Sequence, residues 1–380
     1  MGWEDWRFPN EIEPVSQDEW DLPFVIHEDA MNGLKKIQDE QIQTCVTSPP
    51  YWGLRDYGTG RWVGGLKHCT HVRDSKRSEH TITGHKNNPM VGDAIYKTIC
   101  RKCGANRIDK QLGLEETPEE YIDNMVNIFR EVRRVLKKDG TLWLNIGDTY
   151  CGTGHKGEHI DPMFPERRTA QSTAINNKVQ GVKPKDMIGI PWLLALALRN
   201  DGWYLRQDII WNKPNAMPEP VKDRCTKSHE YIFLLSKSNK YYFDYKALQE
   251  PTTTFDANVR DRDKGKLNKT PGRERISGLK TNDYEMKNKR DVWNINLKPY
   301  SEAHFAVFPP ELPEFCILAG SKVGDTVLDP FWGSGTTGVV AVKHGRKVMG
   351  IELNKKYIDM SMMRFGQRYL NFYEGGMDGD

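Results

Sequence analysis

A chain of 380 residues, 37% hydrophobic and 28% charged, is long enough to bury a sizeable core in one α/β domain with insertions, or in two domains, and should fold without staples. Its 55 basic and 52 acidic residues leave a net charge of only +3, so bulk charge says little about nucleic acid. No apolar run approaches the roughly 20 residues needed to span a bilayer, and the opening MGWEDWRFPNEIEP has neither a basic nor an apolar signal region, so a cytoplasmic protein with no membrane partner is expected.

In chain order, residues 24–26 form the first short apolar run, and His27-Glu28-Asp29-Ala30 follows it. The second run, 44–46, stops at Ser48-Pro49-Pro50-Tyr51-Trp52. Residues 60–109 interrupt the pattern with a Lys/Arg/His-rich segment flanked by Cys69-Thr70-His71 and Cys100-Arg101-Lys102-Cys103. A helix is expected over 119–137, where Tyr121, Met125, Ile128, Phe129, Val132 and Leu136 recur at helical spacing, and a strand over 142–146. Further helices are expected over 187–198, 311–319 and 356–370, and further strands over 205–211, 231–235, 326–328 and 348–351. Seven short strands alternating with amphipathic helices predict a doubly wound, mainly parallel sheet. A second insertion, 214–299, becomes strongly polar over 252–290, too long for an ordinary connection. Cys45, Cys151, Cys225 and Cys316 stand singly, as reduced structural thiols do.

Two strand ends carry the chemistry. Strand 326–328 runs through Asp329-Pro330-Phe331-Trp332-Gly333-Ser334-Gly335 into a helix, and its glycines allow a tight turn and close approach to a ligand. The next strand ends at Glu352, about 17 residues after Gly335, where a carboxylate can accept both hydroxyls of a ribose. That pairing serves a nicotinamide dinucleotide as well as S-adenosylmethionine. Asp329 and Phe331 discriminate: a carboxylate there repels a pyrophosphate and suits the cationic amino-acid end of S-adenosylmethionine. At the other strand end, Pro49 and Pro50 cannot donate hydrogen bonds, so their carbonyls and the Ser48 hydroxyl form a stiff acceptor rim beside the Tyr51 ring. An exocyclic amine on a flat base needs that arrangement, with its protons held and its ring stacked.

On these residues the chain resembles the DNA amino-methyltransferases. Their signature [DNS]-P-P-[YFW] appears as Ser48-Pro49-Pro50-Tyr51 and their F-x-G-x-G motif as Phe331-Trp332-Gly333-Ser334-Gly335, in the order of the permuted β group. The resemblance implies a Rossmann-like, seven-stranded S-adenosylmethionine-dependent methyltransferase sheet with two insertions. It also implies that Asp29 lies near the cofactor adenine, that His304 in His304-Phe305-Ala306-Val307-Phe308-Pro309 helps enclose the methionine end, and that Trp211, in Asp208-Ile209-Ile210-Trp211-Asn212-Lys213-Pro214, walls the base pocket with Trp52. Asp329, Pro330, Phe331, Gly333, Gly335 and Glu352 complete the cofactor set.

Methylation of cytosine carbon 5 needs a cysteine nucleophile, usually in a Pro-Cys dipeptide, which this sequence lacks. Direct transfer to an amino nitrogen needs only alignment and acceptors for the amine protons, here Ser48 and the Pro49 carbonyl. Ser in the first motif position resembles the cytosine-N4 enzymes, and adenine N6 is the alternative. A zinc-containing DNA-binding protein without turnover is the rival from another class. Cys69, His71, Cys100 and Cys103, with His68 as a substitute for His71, read as the two ligand pairs of a structural, zinc-ribbon-like site.

The expected organisation is a catalytic half over 22–59, the zinc-ribbon-like insertion over 60–110, the continued methyltransferase domain over 111–214, a strand plus target-recognition region over 215–300, a cofactor-binding half over 301–372 and a tail over 373–380. Arg73, Lys76, Arg77, Lys86, Lys97 and Arg101 in the first insertion, and Arg260, Arg262, Lys264, Lys266, Lys269, Arg273, Arg275, Lys280, Lys287, Lys289 and Arg290 in the second, suit phosphate contact. The implied partner is double-stranded DNA. The resemblance also allows a separately acting cognate restriction endonuclease and a homodimer.

Overall fold

The computed structural model describes residues 24–53, 59–69, 71, 99–100, 102–109, 111–151, 159–160, 168–169, 181–251, 286–297 and 308–374, with side chains up to Phe365 in the last segment. His304 and the basic residues expected at 73–101 and 260–280 lie outside the described residues.

The strands are β1 Phe24–His27, β2 Ile42–Thr47, β3 Arg61–Val63, β4 Asn106–Ile108, β5 Leu136–Ile146, β6 His159–Ile160, β7 Arg168–Thr169, β8 Tyr204–Asn212, β9 His229–Ser236, β10 Glu250–Pro251, β11 Met286–Lys287, β12 Val292–Asn294, β13 Thr326–Asp329 and β14 Lys347–Glu352. The helices are α1 Ala30–Lys35, α2 Pro118–Val135, α3 Ile190–Asn200, α4 Glu311–Gly320, α5 Thr336–Lys343 and α6 Lys355–Glu374. The central sheet has the order β1-β14-β13-β2-β5-β9-β8-β12. Its pairings are parallel except where β9 runs antiparallel to β5 and to β8.

All seven expected strands are present, and β12 makes an eighth beside β8. Its three residues bury only Trp293, too short an apolar signal for a sequence pattern to register. Helix α2 starts where Thr117 caps the Glu120 N–H and Pro118 opens the first turn. It stops at Val135, two residues short of expectation, because Leu136 turns extended and pairs with Ile42 of β2. Likewise α3 begins at Ile190 rather than Met187, since Asp148 accepts the Gly189 and Ile190 N–H groups and sets the start there.

Side chains alternate across the sheet. Cys45, Leu142, Leu144, Ile146, Leu328 and Ile351 join α1, α2 and α3 in one core, whereas Val46, Trp143, Ile232, Val327 and Val348 join α4 and α5 in another. The result is a three-layer αβα sandwich in which the central strands are buried on both faces. No helix among the described residues is long and apolar enough to cross a membrane.

Candidate active site

In an open parallel sheet, ligands collect at the carboxyl ends of the strands where the connection order reverses. Here β2 and β13 are hydrogen-bonded neighbours, one leading into Ser48 and the other into Pro330. The antiparallel β9 brings its amino end to the same edge, so Glu230 opposes Trp211 and flanks Asn145. A cavity of about 360 Å³ opens there, lined on one side by Ser48, Pro49, Pro50, Tyr51, Asn145, Trp211, Lys213 and Glu230 and on the other by Glu28, Asp29, Pro330, Phe331, Gly333 and Glu352. Its size and mixed lining are those of a small-molecule site.

The Ser48–Tyr51 turn is held from several sides. Tyr121 of α2 donates to the Pro50 carbonyl at 2.9 Å, and the Gly53 N–H reaches the Gly113 carbonyl at 2.8 Å. The Ser48 hydroxyl donates to Tyr51 Oη at 3.4 Å, and Tyr51 Oη donates to Glu230 Oε2 at 2.7 Å. Burial and the adjacent Glu230 charge hold the Tyr51 hydroxyl well above its usual range, so it stays a neutral donor. Asn145 Nδ2 reaches the same Glu230 oxygen at 3.2 Å, while Lys213 Nζ pairs with Glu230 Oε1 and stands 4.3 Å from the Trp211 ring centre.

On the facing side, Glu352 accepts from the Gly333 N–H at 2.8 Å and from the Asn354 N–H at 2.7 Å. Burial pushes its carboxyl up to about 7 against those two hydrogen bonds. Asp29 caps α1, accepting from the Asn32 N–H at 2.9 Å. Beneath the loop, Trp332 is buried and donates to Ser361 Oγ at 2.9 Å. Its ring fills the space left by Gly338 and Gly350, where a Cβ would come within 2.1 and 2.2 Å of it.

Two residues fall elsewhere than the sequence suggests. Asp329 is 1% exposed and does not line the cavity. Its oxygens accept from Thr47 Oγ1 at 2.6 Å, Thr337 Oγ1 at 2.7 Å and the Phe331 N–H at 3.1 Å. Burial raises its carboxyl to about 6. It therefore ties the end of β2, the loop and the start of α5 together from below, where a cationic ligand group has no direct approach. Trp52 is also buried outside the cavity, with Nε1 donating to the Glu115 carbonyl at 3.0 Å. Trp211 does line the cavity, fixed by a 2.9 Å bond from Nε1 to the Ile295 carbonyl.

Sequence reasoning missed Glu230, Lys213 and Asn145. The available signals were an Asn inside the apolar run 142–146 and a carboxylate opening the strand 229–236. No cysteine lines the cavity among the described residues. Of the basic stretch expected to meet DNA, Lys287 and Lys289 lie among the described residues and pair with Glu250 at 4.0 and 3.1 Å. Lys289 Nζ also lies 4.0 Å from the Phe315 ring centre. The four expected metal ligands, Cys69, His71, Cys100 and Cys103, do converge, with their donor atoms all within 4.8 Å of one another.

Comparison with known proteins identifies the family. The family model described as DNA methylase (N6/N4 methyltransferases) matches residues 42–363. The chain is 42% identical over 337 residues to the type II methyltransferase M.Cfr9I of Citrobacter freundii, covering 88% of this chain and 85% of that one. It is 41% identical over 344 residues to M.SmaI of Serratia marcescens, covering 90% and 91%. Among solved structures, the PvuII DNA methyltransferase (cytosine-N4-specific) shares the fold, with a TM-score of 0.52, 18% identity and coverage of 90% of this chain and 85% of that one. A match across most of the chain, with the Ser48–Tyr51 turn and the Phe331–Gly335 loop facing each other across one cavity, places the protein in the N6/N4 DNA methylase family as a DNA methyltransferase.

Proposed function

We propose that the chain transfers the methyl group of S-adenosylmethionine to N4 of a cytosine flipped out of double-stranded DNA at a specific sequence, beside a restriction endonuclease that acts separately. The observation that carries the base assignment is Ser48. It offers a neutral hydroxyl in the cavity that can accept from the amine while its own proton is directed to Tyr51 Oη. The facing wall fits the cofactor: Glu352 has acceptor capacity left for ribose hydroxyls, and Phe331 and Gly333 border the space beside it.

S-adenosylmethionine supplies a methyl group on a positively charged sulfur. Ser48 and the Pro49 carbonyl hold the two amine protons, and the Tyr51 face supports the base. This orientation points the nitrogen lone pair at the Phe331–Gly333 side and removes most of the entropic barrier. The proton shed by the amine passes to the Ser48 hydroxyl, whose own proton moves to Tyr51 Oη and that of Tyr51 to Glu230, along the existing hydrogen bonds. Lys213 and Asn145, both bonded to the Glu230 carboxylate, hold it in place at the end of that chain.

Incubation with unmethylated DNA and isotope-labelled S-adenosylmethionine, followed by mass spectrometry of the nucleosides, tests the assignment. Labelled N4-methylcytosine is expected. N6-methyladenine would overturn the reading of Ser48 while keeping the reaction type. In titration calorimetry, Ser48→Ala and Tyr51→Ala should retain cofactor affinity despite impaired turnover, whereas Glu352→Ala should lose affinity.

A further inference from the structure

Within the polar insertion after β2, β3 and β4 pair as a two-stranded antiparallel hairpin, Arg61, Trp62 and Val63 opposite Ile108, Arg107 and Asn106. Three residue pairs make too short a ribbon to stand alone. Among the described residues apolar burial adds little: Val63, Leu66 and Ile108 are 46%, 68% and 44% exposed, and Cys100 and Ala105 are the small buried ones. At one end of the hairpin Cys69, His71, Cys100 and Cys103 converge.

The separations there fit a metal. Zn2+ bonds of about 2.3 Å to sulfur and about 2.0–2.1 Å to nitrogen give tetrahedral S–S and S–N distances of about 3.8 and about 3.6 Å. Cys69 Sγ lies 3.8 Å from Cys100 Sγ, and Cys103 Sγ lies 3.6 Å from His71 Nδ1. A disulfide would need about 2.05 Å. Two knuckle turns aim the ligands: the Cys69 N–H bonds the Leu66 carbonyl at 3.0 Å, and the Gly104 N–H bonds the Cys100 carbonyl at 2.8 Å. Gly65, with φ +74°, leaves room for Cys103, since a Cβ there would stand 2.8 Å from its sulfur. The Trp62 ring stacks on His71 at 4.6 Å and fixes the imidazole plane.

The opposite end of the hairpin reaches the cavity. Asp109 accepts from Thr59 Oγ1 at 2.7 Å and from the Gln111 N–H at 3.0 Å, and pairs with Arg107 at 2.7 Å. Thr59, Gln111 and Leu112 line the cavity beside the Ser48–Tyr51 turn. A few residues on, the Gly113 carbonyl takes the Gly53 N–H, and a Cβ on Gly113 would stand 2.8 Å from the Tyr51 carbonyl oxygen. We propose that Cys69, His71, Cys100 and Cys103 bind one Zn2+ tetrahedrally, and that this ion fixes the hairpin that walls the base side of the cavity. With four protein ligands the ion is structural and takes no part in transfer. That the walled side receives the base rests on the function proposed above; the metal site and its effect on the hairpin do not.

The test uses the full chain purified without chelator, the same chain stripped of metal, and a Cys100→Ser, Cys103→Ser double variant. We expect about one zinc per chain, lost in the variant, and the visible absorption of tetrahedral thiolate cobalt when Co2+ is added to the stripped chain. Stripping should speed amide hydrogen exchange across 59–63 and 106–113 and leave 326–352 unchanged. S-adenosylmethionine affinity should stay within about twofold, while DNA methylation falls about tenfold or more and returns on adding Zn2+ alone. Absence of both zinc and the cobalt spectrum overturns the metal site. Unchanged exchange at 59–63 and 106–113, or an equal loss of cofactor binding, overturns the positioning role. A chain that binds zinc with the expected exchange pattern yet methylates no DNA leaves this inference standing and refutes the proposed function instead.

Discussion

Lowering the pH from about 8 to about 6 should weaken cofactor binding by about tenfold, through Glu352. Its carboxyl titrates at about 7 because burial outweighs the Gly333 and Asn354 N–H groups that stabilise the anion. Relative to its ordinary value, the ionised form is disfavoured by about 3 kcal/mol. In the proposed cofactor site, ribose hydroxyls would donate to the anion and lose that acceptor when it is protonated, so binding would draw the carboxyl toward ionisation. With a pKa near 7, about nine-tenths of the empty sites are ionised at pH 8 and about one-tenth at pH 6, a tenfold ratio. Calorimetry at pH 6, 7 and 8 in buffers of different ionisation enthalpy should also show release of about half a proton per cofactor at pH 7. Glu352→Gln should bind more weakly by about tenfold at pH 8 and lose the slope. If the glutamine variant kept the full pH dependence, Glu352 would not be the titrating group. Stability follows the opposite sign: between pH 4.5 and about 7 the folded state binds more protons at Glu352 than the unfolded chain does. The contribution of this carboxyl to the stability of the cofactor-free protein therefore falls as pH rises through that window and is level above it.

Tyr51→Phe keeps the aromatic ring but cuts the link from Ser48 to Glu230. Single-turnover kinetics should show methyl transfer slowed by about tenfold or more with cofactor affinity unchanged, and equal rates for the two proteins would remove the relay. Thr47→Val deletes a 2.6 Å bond to the buried Asp329 carboxylate and should cost about 1.5–3 kcal/mol in denaturant unfolding near neutral pH, with a smaller cost at pH 5 where Asp329 is mostly protonated. Gly338→Ala would place a Cβ 2.1 Å from the Trp332 ring. Displacement of that ring should destabilise the chain by about 1–3 kcal/mol or more and shift tryptophan fluorescence; an unchanged melting curve would show that the loop is looser than described.

Much of this protein is legible in the linear chain. Central strands buried on both faces appear as short continuous apolar runs, which is why 44–46, 326–328 and 348–351 could be placed without coordinates. Pro49 and Pro50 restrict their own backbone, and the Phe331–Gly335 loop is encoded within a few residues, so both turns are local properties of the sequence. The Cys and His pairs are likewise recognisable by spacing alone. Tertiary structure decided the rest because it depends on residues far apart in the chain. Glu230 meets Tyr51 across 179 positions, and the antiparallel course of β9 brings its first residues to the edge where the cavity opens. Asp329 reads as a ligand group by position, yet Thr47, 282 residues away, and Thr337 occupy its oxygens beneath the loop. A carboxylate's role depends on whether water, ligand or protein satisfies it, and that is settled by packing, not by the residues next to it in sequence.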